Sequence, residues 1–450
     1  MGRDESVHGA GGRLIDPRTA RGSEATSPAL VHDYLVQVGG AERCLEEFAG
    51  LFPGAPIYTA VLDPSRFPAL IRDPGRRIVT SFLQRVPLPR RIYRAYLPLY
   101  PLAFELLDLR GHDLVISSSS AFAKGVLTDP GACHICYCYT PMRFAWDYHG
   151  FATREVGPLA RFFLPPLVGG LRVWDRVSAD RVDQFVAISR VVAERIRKFY
   201  GRESTIIYPP VPTGEFRPWS AEERAGAARE GRDAYLVVSR LAPYKRIDVA
   251  VEAFNQLRRP LVVIGDGRDM GRLRRMAGPT IRFLGRVSDG EVRAWLATCR
   301  ALIWPGEEDF GLVPVEALAS GRPVVAYGAG GVLEIVEEGV SGVFFTPQVP
   351  EALAAAVLRS EQIAWDPERL SRRAAQFDTR VFRESFRDFA AAAFAEHWER
   401  RLAARGSRLV AGDTGAPRLG SLRSDCASRE PRAASREPER SEEVVTPWRT

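Results

Sequence analysis

At 450 residues and 46% hydrophobic content, the chain can bury more than one core, and domains of about 100 to 200 residues make two the natural count. Its net charge of +7 and pI of about 9.2 favour anionic ligands or membrane surfaces. No zinc-finger pattern, RNP-type aromatic motif or basic helix would place bases, so no nucleic acid is expected as a partner.

Residues 1–27 are polar, Gly-rich and charged, without the apolar core of a signal peptide, and read as a disordered leader. From Ala29 onward, strand-like and helix-like segments alternate, which predicts parallel sheets wrapped by helices. A first series runs through Leu30 to Asp33, Asp113 to Ser117, His134 to Cys138, Phe185 to Ile188 and Thr205 to Tyr208. Ala41, Cys44, Leu45, Phe48 and Leu51 recur at helical spacing after Gly39-Gly40. Pro209-Pro210-Val211-Pro212 stops any element and reads as a linker, giving a first domain over 28–212 and a second over 213–380. The second series begins at Ala234 to Val238, followed by a helical stripe of Ile247, Ala250, Val251, Phe254 and Leu257. Its further strands are Leu261 to Ile264, Ile281 to Leu284, Ala301 to Trp304, Val324 to Tyr327 and Val343 to Phe345. A closing helix over 381–403 carries Phe382, Phe386, Phe389, Ala393 and Phe394 on one face. Residues 404–450 have few apolar anchors and read as a disordered tail.

The six cysteines are Cys44, Cys133, Cys136, Cys138, Cys299 and Cys426, scattered except for one cluster, which fits a reducing, cytoplasmic compartment. Cys133-His134-x-Cys136-x-Cys138 lacks the paired spacing of a zinc site and reads as buried strand thiols. The longest apolar stretch, Phe162 to Leu171, falls short of the roughly 18 residues that span a bilayer, so no transmembrane helix is expected.

The richest segment is Trp304-Pro305-Gly306-Glu307-Glu308-Asp309-Phe310-Gly311-Leu312-Val313-Pro314-Val315-Glu316-Ala317. Pro305-Gly306 breaks a buried strand, so the acidic run should form a loop at that strand's carboxyl end, where open α/β sheets bind ligands. The pattern turns helical from about Val313, so N–H groups around Phe310, Gly311 and Leu312 offer an anion site. Glu308 and Glu316 can each accept two hydrogen bonds from a vicinal diol, one at each end of an elongated ligand.

This segment resembles the Glu-x7-Glu motif of the retaining GT-B glycosyltransferases of family four. The resemblance implies two Rossmann-like lobes facing a cleft, with Glu308 on hydroxyls of the transferred sugar and Glu316 on the nucleotide's ribose. By the same resemblance, Arg240 and Lys245 grip the diphosphate of the nucleotide-sugar donor. Fixed cations there stabilise the charge that grows as the glycosidic bond breaks. Gly39 and Gly40 resemble the family's first-domain glycine loop, Gly265 belongs to a matching Val262-to-Gly267 segment, and Val287 and Asp289 are implied near the base. A dinucleotide fingerprint at Gly265 fails, because Met270 stands where a third Gly is required. No Asp-x-Asp occurs anywhere in the chain. Since metal-bridged diphosphates lean on clustered carboxylates, neither a metal nor a cofactor is expected.

The resemblance extends from about Val31 to Phe394 and is greatest to bacterial O-antigen and exopolysaccharide enzymes that include mannosyltransferases. In that subgroup the residue before Thr140-Pro141-Met142-Arg143 is typically His, which touches the donor sugar; here it is Tyr139. A Tyr hydroxyl hydrogen-bonds but carries protons poorly at neutral pH. His134, earlier on the same strand, reads as packed. Residues 71–110 interleave Arg72, Arg76, Arg77, Arg85, Arg90, Arg91, Arg94 and Arg110 with Phe82, Tyr93, Tyr96, Leu97 and Tyr100. That mix suits an anionic membrane surface as well as it suits a core-facing helix with solvated arginines. The family implies a polyprenyl-linked glycan acceptor, and so peripheral attachment at the inner face of the plasma membrane. The leading expectation is retaining transfer of a hexose, mannose from its GDP form ahead of others, to a lipid-linked or growing surface polysaccharide. Two others stay open: a sugar-nucleotide epimerase of the same architecture, and a non-catalytic binding subunit of a polysaccharide assembly complex.

Overall fold

A computed structural model describes residues 26–67, 70, 73, 75–86, 96–147, 158–226 and 234–412. Two all-parallel sheets organise them. The first contains β1 (Pro28–His32), β2 (Ile57–Thr59), β3 (Ile78–Thr80), β4 (Leu114–Ser119), β5 (Cys133–Cys138), β6 (Gln184–Ala187) and β7 (Ser204–Ile206), in the order β3-β2-β1-β4-β5-β6-β7. The second contains β8 (Tyr235–Val238), β9 (Leu261–Ile264), β10 (Ile281–Gly285), β11 (Leu302–Trp304), β12 (Val324–Tyr327) and β13 (Gly342–Phe345), in the order β10-β9-β8-β11-β12-β13. These are the two Rossmann-like lobes of a GT-B fold. All the expected strands are present; β2 and β3, three residues each, are additions.

Strand order reverses between β1 and β4 in the first lobe and between β8 and β11 in the second. Each reversal opens a crevice between loops that diverge to opposite faces. In the first lobe, buried Asp33 accepts bonds from the backbone N–H groups of Ser120, Ala121, Phe122 and Ala123 and from Ser120 Oγ, at 2.6 to 3.0 Å. One carboxylate therefore ties the loop after β1 to the loop after β4. Beside it, Lys124 and Asp175 pair in full burial, and the Tyr200 hydroxyl and Trp146 Nε1 donate to the second carboxylate oxygen. A buried pair is tolerable only when its remaining bonds are made, as they are here.

Helix α1 (Gly40–Leu51) follows β1 and buries Cys44, Leu45 and Phe48. The last helix, α2 (Thr379–Gly412), lays Phe382 and Phe386 against Phe48 and Tyr137 of the first lobe, with Phe48 and Phe386 ring centroids 4.6 Å apart. It runs to Gly412, so the first residues of the segment expected to be a disordered tail are helical, and 413–450 lie outside the described residues. The leader lies outside them up to residue 25. Ser27 is held by Asp113, its N–H donating to Oδ1 at 2.8 Å.

Within the described part of the basic, aromatic segment, Arg76 turns inward and donates to the carbonyls of Ala55 and Ala49 at 2.9 and 2.8 Å, Tyr96 and Tyr100 are buried, and Arg110 forms an exposed pair with Asp108. Arg72, Arg90, Arg91, Tyr93 and Arg94 lie outside the described residues. No helix among the described residues is long and apolar enough to cross a membrane.

Candidate functional site at the strand-order reversal

The second lobe's crevice is built by backbone packed on backbone. Gly265, after β9, has φ of 128°, and a Cβ there would stand 1.9 Å from the Ser239 carbonyl oxygen. Gly306, after β11, lies so close to the loop after β8 that a Cβ would reach 2.8 Å from the Lys245 carbonyl oxygen. Only glycine lets these loops touch. Their contact fixes where the side chains above them point.

Lys245 ends a 3-10 turn (Pro243–Lys245), and its ammonium pairs with the Glu308 carboxylate. The same ammonium lies 5.1 Å from the Tyr244 ring and 5.8 Å from the Trp304 ring. Arg240 is exposed and donates to the Tyr244 hydroxyl at 2.6 Å. Tyr244, absent from the residues singled out by sequence, thus stands between the two cations. Glu308 is fixed through its main chain, whose carbonyl accepts from Gly331 N–H at 2.8 Å. Arg240, Lys245 and Glu308 therefore share one mouth, with Gly265 in its backing wall.

A second group assembles one turn further along. Helix α3 (Leu312–Ala319) starts at Gly311, whose φ is 112°. Glu316 is only 5% exposed on this helix and meets Arg43 Nη1 of α1 at 3.3 Å. Burial pushes its carboxyl above the ordinary range, and the Arg43 guanidinium draws it part of the way back. Gly40 abuts the same helix: a Cβ there would come within 2.7 Å of Leu312 Cδ1. A cleft of about 270 Å³ opens between the lobes, lined by Arg43, Asp289, Arg293 and Glu316 among others. Gly39 precedes Gly40 as the N-cap of α1, and Val287 packs half-buried against the core that both lobes share. Phe310 is expected to offer its backbone N–H; its ring is 3% exposed and packed on Tyr208 and Phe377, which leaves the backbone as the part it can present.

Tyr139 lies beneath the glycine loop. Its hydroxyl donates to the Ala41 carbonyl at 3.0 Å and bonds Ser118 Oγ at 2.8 Å, which in turn bonds His32 Nδ1 at 3.0 Å. Burial raises the Tyr139 hydroxyl well above its usual range, so it stays protonated at neutral pH and acts as a donor. His134 is packed, its ring bonded to Ser117 Oγ and its titration lowered to about 4 by burial. Sequence reasoning missed the cross-lobe cations. Arg195 pairs with Asp309 and reaches Glu307 at 3.7 Å and Thr140 Oγ1 at 3.3 Å, while Arg143 stands 3.8 Å from Asp309. The usable signal was Thr140-Pro141-Met142-Arg143, whose two polar residues face the acidic loop.

Two parallel-sheet lobes with cations and carboxylates at their reversal points define the chain as GT-B in class. Residues 38–215 match the family described as Glycosyltransferase Family 4, and residues 232–361 match Glycosyl transferases group 1. Each lobe is thus similar to a glycosyltransferase family, and the fold is GT-B. It is similar to the D-inositol 3-phosphate glycosyltransferase of a Nocardioides species, 30% identical over 212 residues, covering 40% of this chain and 46% of that protein. It is also similar to glycogen synthase of Mycobacterium tuberculosis, 31% identical over 207 residues, 43% of this chain and 48% of the relative. The matches thus span about half the length of these relatives. Anabaena HepE in complex with UDP shares the fold, with a TM-score of 0.61 at 18% identity over 81% of this chain and all of HepE.

The balance at Glu316 sets a pH test. Its folded titration point is raised, so burial of the charged form opposes folding above the unfolded value of 4.5, and this opposition disappears as pH falls below it. Glu316→Gln should therefore unfold at higher urea than the parent at pH 7, with the gap closing near pH 4. Equal midpoints at pH 7 would show that Arg43 already balances the burial.

Proposed function

We propose that this chain is a retaining glycosyltransferase that moves a hexose from a nucleotide-sugar to a lipid-linked or growing surface polysaccharide. The observation that carries the reading is the pairing of Lys245 with Glu308 across two loops at the second sheet's reversal point, with Arg240 beside it through Tyr244. A donor diphosphate entering there competes with Glu308 for Lys245. The displaced carboxylate is then free to accept from sugar hydroxyls, while Glu316 takes the ribose diol in place of Arg43.

As the bond between the anomeric carbon and the leaving phosphate oxygen breaks, charge collects on the diphosphate between Arg240 and Lys245. Cations fixed in position stabilise that charge more in the transition state than in the ground state. The acceptor hydroxyl forms the new C–O bond on the same face, and its proton passes to the departing phosphate oxygen. Tyr139 would act from below the glycine loop, through Ala41, in the conformation described. The motif likeness to mannosyltransferases supports GDP-mannose as donor, whereas the UDP complex of HepE supports a uridine nucleotide.

In a thermal-shift series with GDP-, UDP- and ADP-sugars, the true donor should raise the melting temperature of the parent. Glu308→Ala should keep a donor shift yet lose about 10²- to 10³-fold in kcat, the scale of one transition-state contact. Transfer that survives the substitution would remove Glu308 from the chemistry. Turnover should continue under a chelator, because cationic side chains take the role of a bridging ion. Activity abolished by EDTA and restored by magnesium would overturn that. The acceptor reading includes contact with an anionic membrane through Arg90, Arg91 and Arg94. Sedimentation with anionic vesicles should fall when these three are neutralised, and unchanged pelleting would end the idea.

A further inference from the structure

We propose that Cys133, Asp183 and His397 form a zinc-type metal site that fastens the terminal helix to the first lobe, outside the cleft. Cys133 opens β5, Asp183 lies just before β6, and His397 projects from α2. Their ligand atoms all lie within 4.8 Å of one another. Thiolate, imidazole and carboxylate together suit a borderline-soft ion such as Zn²⁺.

The hydrogen bonds of His397 and Asp183 turn these two toward each other, while Cys133 Sγ donates to the Ala393 carbonyl of α2 at 3.9 Å, a contact that metal binding would replace. His397 Nε2 faces the Gly131 carbonyl at 3.3 Å, and since a carbonyl only accepts, the hydrogen sits on Nε2. Nδ1 is thereby turned toward Asp183 Oδ1 at 3.5 Å. That gap exceeds an ordinary N–H···O bond of about 2.7 to 3.2 Å. It matches the spacing of about 3.3 to 3.8 Å between ligands that each lie about 2.0 to 2.3 Å from a tetrahedral ion. Asp183 is oriented from behind as well, its Oδ2 accepting from His134 N–H at 2.7 Å. Metal-bound His and carboxylate groups are held by outer partners of this kind. Asp183 is the most exposed of the three, so the ion has a way in, and water completes the fourth position.

Burial holds the Cys133 thiol at about 12, with Asp183, Asp113 and Glu396 raising it and Arg400 opposing them. Binding forms the S–Zn bond and breaks S–H, releasing one proton to solvent. The site is independent of the transfer reaction: it joins two parts of the scaffold and touches none of Arg240, Lys245 or Glu308.

The test uses the full-length chain, stripped of metal and titrated with Co²⁺ and then Zn²⁺. One equivalent of Co²⁺ should give visible bands of tetrahedral intensity and a near-ultraviolet thiolate charge-transfer band. Cys133→Ser should abolish the charge-transfer band, and His397→Gln should weaken Zn²⁺ binding by at least about tenfold. Cys136→Ser, a neighbouring buried thiol outside the cluster, should retain both. Zn²⁺ should raise the melting temperature of the parent but not of His397→Gln, with the initial rate of transfer unchanged. A Co²⁺ spectrum without the charge-transfer band, or equal Zn²⁺ content in the parent and both cluster variants, would leave only a His397–Asp183 ion pair and overturn the proposal.

Discussion

The candidate site depends on how closely three loop backbones approach one another at the end of the second sheet. Side chains at Gly265 or Gly306 would push those loops apart, because the clash is with carbonyl oxygens rather than with flexible side-chain ends. With the backbones in contact, Lys245 reaches Glu308 and Tyr244 comes between Lys245 and Arg240. The electrostatics of the mouth are therefore a product of main-chain packing. Coulombic pairing of this kind is strong only while the partners are held at short range.

Charge is also distributed so that both lobes share in it. The acidic loop after β11 is countered by Lys245 from its own lobe and by Arg195 and Arg143 from the other. Glu316 follows the same rule with Arg43. Each acid is thereby paired with a cation that an anionic ligand could recruit. Beneath this layer, Asp33 and the Lys124–Asp175 pair hold the first lobe's loops with nearly every polar group satisfied, as a rigid floor requires.

Much of this was legible in the amino-acid order because the signals were local. Strand-like segments of four to six residues marked β4, β5, β8 and β9, and the Ile247 to Leu257 stripe marked a helix of the same bounds. Glu308, Lys245 and Arg240 stood out through the motif resemblance, supported by their places in the loops after β11 and β8. The features that were hidden depend on distance in the chain. Arg43 meets Glu316 and Arg195 meets Asp309 across the lobes, and no spacing rule connects such pairs. Arg76 read as a surface cation because composition cannot show that its guanidinium turns inward to two carbonyls. The packing of the Phe310 ring was hidden for the same reason, since its aromatic partners Tyr208 and Phe377 are remote in sequence.

The contact between Arg43 and Glu316 has a mechanical side. One partner rides on the first helix of one lobe and the other on a helix of the opposite lobe, so the carboxylate serves as a hinge pin as well as a hydrogen-bond acceptor. It is one rivet among several, beside Ser189 on the Asp309 carbonyl and Arg190 on Glu334, so a guest that claimed its oxygens would trade one seam contact for another and leave the rest of the seam in place.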